Sequence, residues 1–458
     1  MRLAVEPAMR KRIIWLAAPV VLAMVSQTLI NQVDHVLIGR LPSADSIPGI
    51  AALEPSLILL WLVGGCLSAI SVGTQALTAR RFGEQDRARA GQVLTNSVAV
   101  ALCTSIVASI VSWFAVPVIF PHLIRDPNVI AHGVPYLQWR MLGVVSMVTT
   151  TSYKSWFDGL GRTRVHMSAA LIMNVINFFL NIALIFGKWG FPEMGMRGSG
   201  IASMVSSYLG LFFMVAWSLR GEDLKEYGAY RLKNLSRSLS WELLKLSVPS
   251  GVATIFVMGG FGMFVKIAGN LDIVSGTGQP LVTAATNNII IILMLFFTAS
   301  LAYGTATATL VSQSMGAKKK EEAEEYGWAA VRLGLIPTVI LGLVIALFPD
   351  LVLHIYCKDP AVIEIARPVL RVCGCLLPVI LSAMVLTQAL FGAGNTKFVM
   401  FVEFGLHFFC LVPVAYICGI VLHWGMIGVW TGAFVYVLLL CAIMGWKFAE
   451  GAWKTIQI

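Results

Sequence analysis

The chain has 458 residues, of which 58% are hydrophobic and 12% are charged, and its formal net charge is +10. Soluble domains carry about 25% charged residues, so this composition excludes an ordinary soluble protein and indicates one that lies mostly in a membrane. The positive charge does not by itself indicate a nucleic-acid partner, because basic loops facing an anionic lipid surface produce the same excess.

Twelve segments are apolar over the length that a membrane-spanning helix requires, which is about 20 residues. These predicted spans are residues 13–39, 52–79, 93–119, 134–157, 166–187, 199–219, 242–269, 283–312, 327–349, 364–391, 397–421 and 424–447. The runs are long and continuous, whereas the strands of a barrel are short and alternate apolar with polar residues. The predicted fold class is therefore an all-α integral membrane protein with twelve transmembrane helices.

Lys and Arg predict the orientation of these spans, because cytoplasmic loops are enriched in both residues. If the N-terminus is inside, the inner segments hold most of the Lys and Arg in the loops, including Lys318, Lys319 and Lys320. The sequence therefore predicts cytoplasmic N- and C-termini, and the loop charge accounts for the net charge without nucleic acid.

The first span contains a carboxylate. Gln27, Asn31 and Asp34 follow one another at i, i+4 and i+7, which places them on one face of a helix. An acid at the centre of a bilayer costs about 2.5–3.5 kcal/mol on insertion scales, so Asp34 is expected to face a cavity or a partner. The structural alternative is a hydrogen-bond clamp between helices.

The fifth span carries a second polar face, on which Asn174, Asn177 and Asn181 lie at i, i+3 and i+7. Amides often join transmembrane helices, so packing alone would explain one Asn. Three aligned amides indicate a lining or a coordinating wall. If this face meets Asp34, the two sets form a polar pocket in which Asp34 is an exchangeable charge that trades a proton for another cation.

Other polar residues are candidates for the wall of a substrate cavity. In the eleventh span Glu403 and His407 lie at i and i+4, either as a second proton site or, more commonly, as a structural contact. The remaining cavity candidates are Met24 and Gln27 in the first span and Asn287 and Asn288 in the eighth.

The chain contains two copies of one unit. FDGLGRTRVHM at 157–167 matches LFGAGNTKFVM at 390–400, and the offset from Gly159 to Gly392 is 233 residues. Six spans in each copy give both the same orientation, related by a pseudo-two-fold axis along the membrane normal. We therefore expect two pseudo-symmetric six-helix bundles with a central cavity.

The expected domains are an N-lobe of six transmembrane helices at residues 1–219, a cytoplasmic linker at 220–241 and a C-lobe of six helices at 242–458. No Walker pattern, HExxH or GxSxG occurs in the sequence, and the glycines of the repeated motif fit tight turns better than a phosphate cradle. The sequence therefore predicts a protein that is not an enzyme and has no cofactor.

At these residues the chain resembles the multidrug and toxic compound extrusion (MATE) family. The resemblance rests on Pro19 followed by SQTLINQVDHVLIGRL, on the duplicated G-x-G-x-T turns, on VSQSMGA, and on NFFLNIALIFGKWGFPEMGMRGSGIAS. It implies twelve helices in two lobes, alternating access, and export of cationic or amphiphilic drugs in exchange for entering H⁺ or Na⁺.

By this resemblance Asp34 matches the helix-one acid of the family, Asn177 its helix-five amide, Ser203 a helix-six hydroxyl and Pro19 the proline at which helix one bends. There are departures from both branches. Asn181 stands where the DinF-type branch often has a second acid, and GVATIFVMGGFGMF and PVILSAMVLTQAL lack the acids of NorM-type helices seven and ten. Coupling is therefore expected to centre on Asp34, and the chain to lie closer to the DinF-type than to the NorM-type branch.

The expected partners are organic cations, the coupling ion and the lipid bilayer, with no nucleic acid. One carboxylate suffices for a proton, whereas Na⁺ needs several hard oxygens, so H⁺ is favoured over Na⁺ at Asp34 and Asn177. We expect a monomer in a bacterial inner membrane.

The alternative in the same superfamily is a flippase for lipid-linked oligosaccharides, which would need basic residues in the cavity to hold a pyrophosphate. Lys154, Arg332 and Arg371 are the candidates, and their convergence would favour this function. A receptor or scaffold without transport would give Asp34 no role.

Overall fold

The computed structural model describes residues 5–220, 225–274 and 280–457, except for the side chains of residues 31, 32, 43, 44 and 274. All regular secondary structure in this part of the chain is helical. The long helices, numbered in chain order, are α1 Pro7–Ile38, α2 Asp45–Gly83, α3 Arg87–Leu123, α4 Pro127–Gly159, α5 Thr163–Ile185, α6 Gly195–Ser218, α7 Arg237–Val274, α8 Leu281–Gly316, α9 Lys320–Leu347, α10 Pro360–Gly392, α11 Thr396–Val421 and α12 Gly425–Glu450.

Eleven of the described helices are long and apolar enough to cross a membrane. The remaining long helix is α4, which corresponds to the predicted span 134–157 but carries Gln138 and Arg140 in its middle. It packs against α2, α3 and α6, so neighbouring helices surround its polar residues. Large apolar side chains elsewhere face outward, and Phe114, Phe212 and Phe409 are 71%, 70% and 74% exposed, as lipid contact requires.

Two helices contain π-helical turns, in which one extra residue is inserted into the helical path. In α2 the turn is Trp61–Gly65. In α11 there are two, at His407–Leu411 and Ile417–Val421. The helices also begin earlier than most predicted spans. For example, α3 begins at Arg87, where the Asp86 carboxylate caps it by accepting from the Arg89 backbone N–H, a polar cap that hydropathy does not detect.

The chain divides into two compact units. The first unit is Leu22–Gly251, and the second combines Met1–Val21 with Val252–Gln457. The divisions lie just after Pro19 in α1 and just after Pro249 in α7. These units therefore exchange the beginnings of α1 and α7, unlike the predicted lobes at 1–219 and 242–458.

Each unit has its own apolar core. In the first unit the core includes Phe120 and Leu137, and in the second it includes Leu370 and Trp430. Arg12, near the start of α1, belongs to the second unit. Its guanidinium donates to Gln313 Oε1 at 3.0 Å and to the Tyr326 hydroxyl at 3.1 Å.

The segment before α7 is tied to α3 by one buried amide. Asn96 is fully buried, and its Nδ2 donates to the Asn234 carbonyl at 2.8 Å. Its Oδ1 accepts from the Ser236 backbone N–H at 2.8 Å and from the Ser240 hydroxyl at 3.1 Å. The basic stretch LKNLSRSLSWELLKL, a candidate surface helix, is a 3₁₀ turn followed by the beginning of α7.

Replacing Asn96 with Ala is expected to destabilise the first unit by about 1–3 kcal/mol, because it leaves the Ser236 N–H and the Asn234 carbonyl without their partner. The measurement is the Tm of the purified protein in detergent. Thr104→Ala is the control on the same helix, because the Thr104 hydroxyl bonds only within α3. Equal Tm values for both variants would contradict the anchoring role.

Candidate functional site

Asp34 lies one turn before the end of α1 and is 8% exposed. Its Oδ1 accepts a hydrogen bond of 2.6 Å from Asn181 Nδ2 in α5. Asn181 is fully buried. The polar face of the first span therefore meets that of the fifth, and an amide replaces water at the carboxylate.

The hydrogen bonds continue from α5 into α6. Asn181 Nδ2 also donates to Asn177 Oδ1 at 3.1 Å. Asn177 Nδ2 in turn lies 3.3 Å from the hydroxyls of both Ser203 and Ser206. The carboxylate, two amides and two hydroxyls thus form one connected network across three helices.

Small residues in α6 allow this network to form. A Cβ built on Gly198 would lie 2.5 Å from the Leu184 carbonyl oxygen in α5, so a larger residue would separate the two helices. Small residues permit such close approach in membranes. The approach places the α6 hydroxyls against the α5 amides.

Asn174 lies on the same face but has a different partner. Its Nδ2 donates to the Ser26 hydroxyl of α1 at 3.0 Å. Three buried amide oxygens in the described network have no hydrogen-bond partner, namely Gln27 Oε1, Asn174 Oδ1 and Asn181 Oδ1. Unpaired buried acceptors are costly, and here they surround the carboxylate region with oxygens that can accept a proton or bind a cation.

Arg140 in α4 is a neighbour of Asp34 that sequence reasoning missed. Its charge acts on Asp34 and on the Tyr136 hydroxyl, and its own Nε is buried without a hydrogen-bond partner. The position of Arg140 in the middle of a span was the available signal, since a buried cation needs a countercharge. Ser26 and Ser206 were missed because single serines are common in helices.

The other predicted site residues are more scattered. Met24 and Gln27 are half-buried in the first unit, whereas Asn287 is exposed and Asn288 half-buried in the second. The side chain of Asn31 lies outside the described residues. Pro19 lies within α1, which is continuous through it.

Glu403 and His407 are buried in the second unit, at 6% and 1% exposure. This burial leaves little of their surface for a substrate to touch. Both contact each other and Tyr436 of α12.

The basic residues considered for a pyrophosphate site have separate local partners. Lys154 interacts with Asp158 in the next turn of α4, and Arg332 Nε donates to the Trp328 carbonyl at 3.2 Å. Arg371 acts on Asp350, whose pKa is held below its usual range chiefly by a hydrogen bond from Arg367. These neighbourhoods differ, so within the described residues the three cations do not build one shared site.

A sequence profile named MatE matches residues 19–183 and 249–417. The matched ranges begin at Pro19 and Pro249, which are equivalent positions in the two sequence copies. The chain belongs to the MatE family. This confirms the resemblance to MATE proteins, which are transporters.

Curated relatives match nearly the whole chain. A probable multidrug resistance protein NorM from Thermotoga maritima is 26% identical over 98% of this chain and 94% of its own length. A protein of the same name from Bacillus subtilis is 25% identical over 92% of this chain and 91% of its own. The MatE member described here is thus similar over its length to proteins named for multidrug resistance.

Solved structures share the fold. An outward-facing multidrug resistance MATE family transporter of the MOP superfamily has a TM-score of 0.85 at 19% identity, covering 97% of this chain and 96% of its own. A MOP superfamily transporter from Pyrococcus furiosus has a TM-score of 0.85 at 19% identity, covering 98% and 97%. These likenesses confirm the all-α fold class.

Proposed function

We propose that this MatE protein is a secondary active antiporter that exports cationic or amphiphilic compounds in exchange for H⁺ by alternating access. The observation that carries the proposal is the buried Asp34 carboxylate, bonded to Asn181 at the end of an amide and hydroxyl network. Ionised, this group attracts an organic cation. Protonated, it no longer does.

The hydrogen-bond directions favour H⁺ over Na⁺. Asn181 presents an N–H to the carboxylate rather than its oxygen, and Asn177 presents its N–H to Ser203 and Ser206. A Na⁺ site at Asp34 and Asn177 needs several oxygens directed at one point, so these amides would have to turn over. A proton needs only the carboxylate.

The proposed mechanism is competition between the proton and the substrate. With the protein open inward, ionised Asp34 binds the cationic compound. With the protein open outward, a proton enters at Asp34, α1 bends at Pro19 and the substrate is released. The shift in substrate affinity cannot exceed the difference in proton affinity between the two states.

Within the family, we assign the coupling to the DinF-type pattern, with its acid in the first unit, although the curated relatives carry the NorM name. We propose a monomer in a bacterial inner membrane with both termini cytoplasmic. The flippase alternative receives no support from Lys154, Arg332 and Arg371, because each has its own local partner.

The test is uptake of a fluorescent cationic dye by inverted proteoliposomes under an imposed pH gradient or an imposed Na⁺ gradient, applied separately. We expect dye movement with the pH gradient and none with Na⁺ alone. Movement driven only by Na⁺ would assign the site to Na⁺, and movement under neither gradient would refute antiport of this dye.

A further inference from the structure

A second buried carboxylate lies in the second unit, far along the sequence from Asp34. Glu403 Oε2 accepts a hydrogen bond of 3.0 Å from the Tyr436 hydroxyl. His407 Nδ1 lies 3.4 Å from the same oxygen and 2.8 Å from the Glu403 carbonyl oxygen. The His407 and Tyr436 rings are in edge contact, with centroids 4.6 Å apart.

These contacts define where a proton can be taken up. A carbonyl oxygen only accepts hydrogen bonds, so the short contact to the Glu403 carbonyl requires a proton on His407 Nδ1. The Glu403 carboxylate and His407 Nε2 are then the two positions that can gain a further proton. Tyr436 donates to the carboxylate and fixes its orientation.

The local backbone is built around the His407 ring. His407 begins the π-helical turn His407–Leu411 in α11, and such turns occur frequently at functional sites. From α7, Gly260 packs against the ring, and a Cβ there would lie 2.7 Å from His407 Cδ2 and 2.8 Å from its Cβ. Any larger residue at position 260 would displace the imidazole.

The repeat makes this cluster the counterpart of the network in the first unit. At the offset of 233 residues from Gly159 to Gly392, His407 corresponds to Asn174 and Tyr436 corresponds to Ser203. Both copies therefore place polar groups at equivalent positions of their fifth and sixth helices. The carboxylate differs, because the position equivalent to Asp34 is the buried Ile267 and the acid is on α11 instead.

The charges around the cluster are few. The titratable groups facing Glu403 are His407 on α11 and Tyr436 on α12, with Cys410 next to Tyr436. The packed face of α7 contributes Gly260 and Phe256, which do not titrate. Among the described residues Glu403 has no Lys or Arg partner within ion-pair distance, so its charge is balanced by a proton.

From this geometry we propose that Glu403, His407 and Tyr436 form a second proton-binding site, which loads and releases one proton in each transport cycle. The site goes beyond the proposed coupling at Asp34, and its proton binding does not depend on the substrate. The chain would then move two protons for each exported molecule, one through each unit.

The direct test is pH-difference infrared spectroscopy of the purified protein without substrate, following the C=O band of a protonated carboxyl group. We expect a band that appears on acidification, persists in Asp34→Asn and disappears in Glu403→Gln. In Tyr436→Phe, which retains the carboxyl, the band should shift in frequency. Identical spectra for wild type, Glu403→Gln and Tyr436→Phe would overturn the proposal, even if antiport through Asp34 holds.

The second readout is the substrate gradient that a pH gradient of one unit sustains in proteoliposomes with the membrane potential held at zero. Loss of one of two coupled protons lowers this limit by about tenfold, since one proton across one pH unit is 1.36 kcal/mol. We expect this drop in Glu403→Gln and not in the control Glu450→Gln. An unchanged limit in Glu403→Gln would show that Glu403 carries no coupled proton.

Discussion

Asp34→Asn is expected to abolish proton-driven export while the protein still inserts and folds. The substituted amide keeps an oxygen that can accept from Asn181, so the contact between α1 and α5 is retained. What it loses is the ability to change charge, and without it neither ion competes with the substrate. We expect dye efflux to fall to the level of empty vesicles, a loss of at least about 100-fold for a change of about 2.7 kcal/mol or more.

The measurement is dye efflux under a fixed pH gradient, with the amount of inserted protein matched between variants. Glu193→Gln is the control, because it removes an exposed carboxylate outside the network. Efflux by Asp34→Asn equal to that of Glu193→Gln would make Asp34 a structural clamp and would remove the basis of the competition mechanism.

Asn181→Leu is expected to have the second largest effect. Leu has a similar volume but no N–H, so the Asp34 carboxylate loses its 2.6 Å donor and the network is cut between α1 and α5. A buried polar group left unsatisfied costs about 1–3 kcal/mol, and more when it is charged. We expect a lower Tm together with a loss of transport of at least about tenfold.

Asn174→Leu is the matched control, since Asn174 is on the same helix face but donates to Ser26 rather than to Asp34. It should lower the Tm by a comparable amount while retaining most of the transport at equal protein levels. If both variants lose transport equally, the effect comes from helix packing and the position next to Asp34 has no special role.

Helical periodicity predicted the two polar faces that form the site. The spacing of Asp34 in one span and of Asn177 and Asn181 in another fixes which side chains share a face. It does not specify which faces meet, because that depends on the packing of helices separated by more than a hundred residues. The Gly198 contact with α5 is an example, since close approach is visible only in three dimensions.

Two features escaped the sequence for different reasons. Arg140 lies in α4, where enclosure by other helices permits polar residues that hydropathy counts against a span. Tyr436 lies in an apolar helix where an aromatic residue suggests packing, yet its hydroxyl bonds to Glu403. The 233-residue repeat could have indicated Tyr436, because it aligns with Ser203.

The central claim is that a proton and the exported cation compete for Asp34. The most direct measurement is proton release when a cationic substrate binds to the purified protein in weakly buffered solution, followed with a pH indicator. The account predicts release by the wild type and a loss of that release in Asp34→Asn, with Glu193→Gln behaving as wild type. Substrate binding without proton release, or equal release by Asp34→Asn, would contradict it.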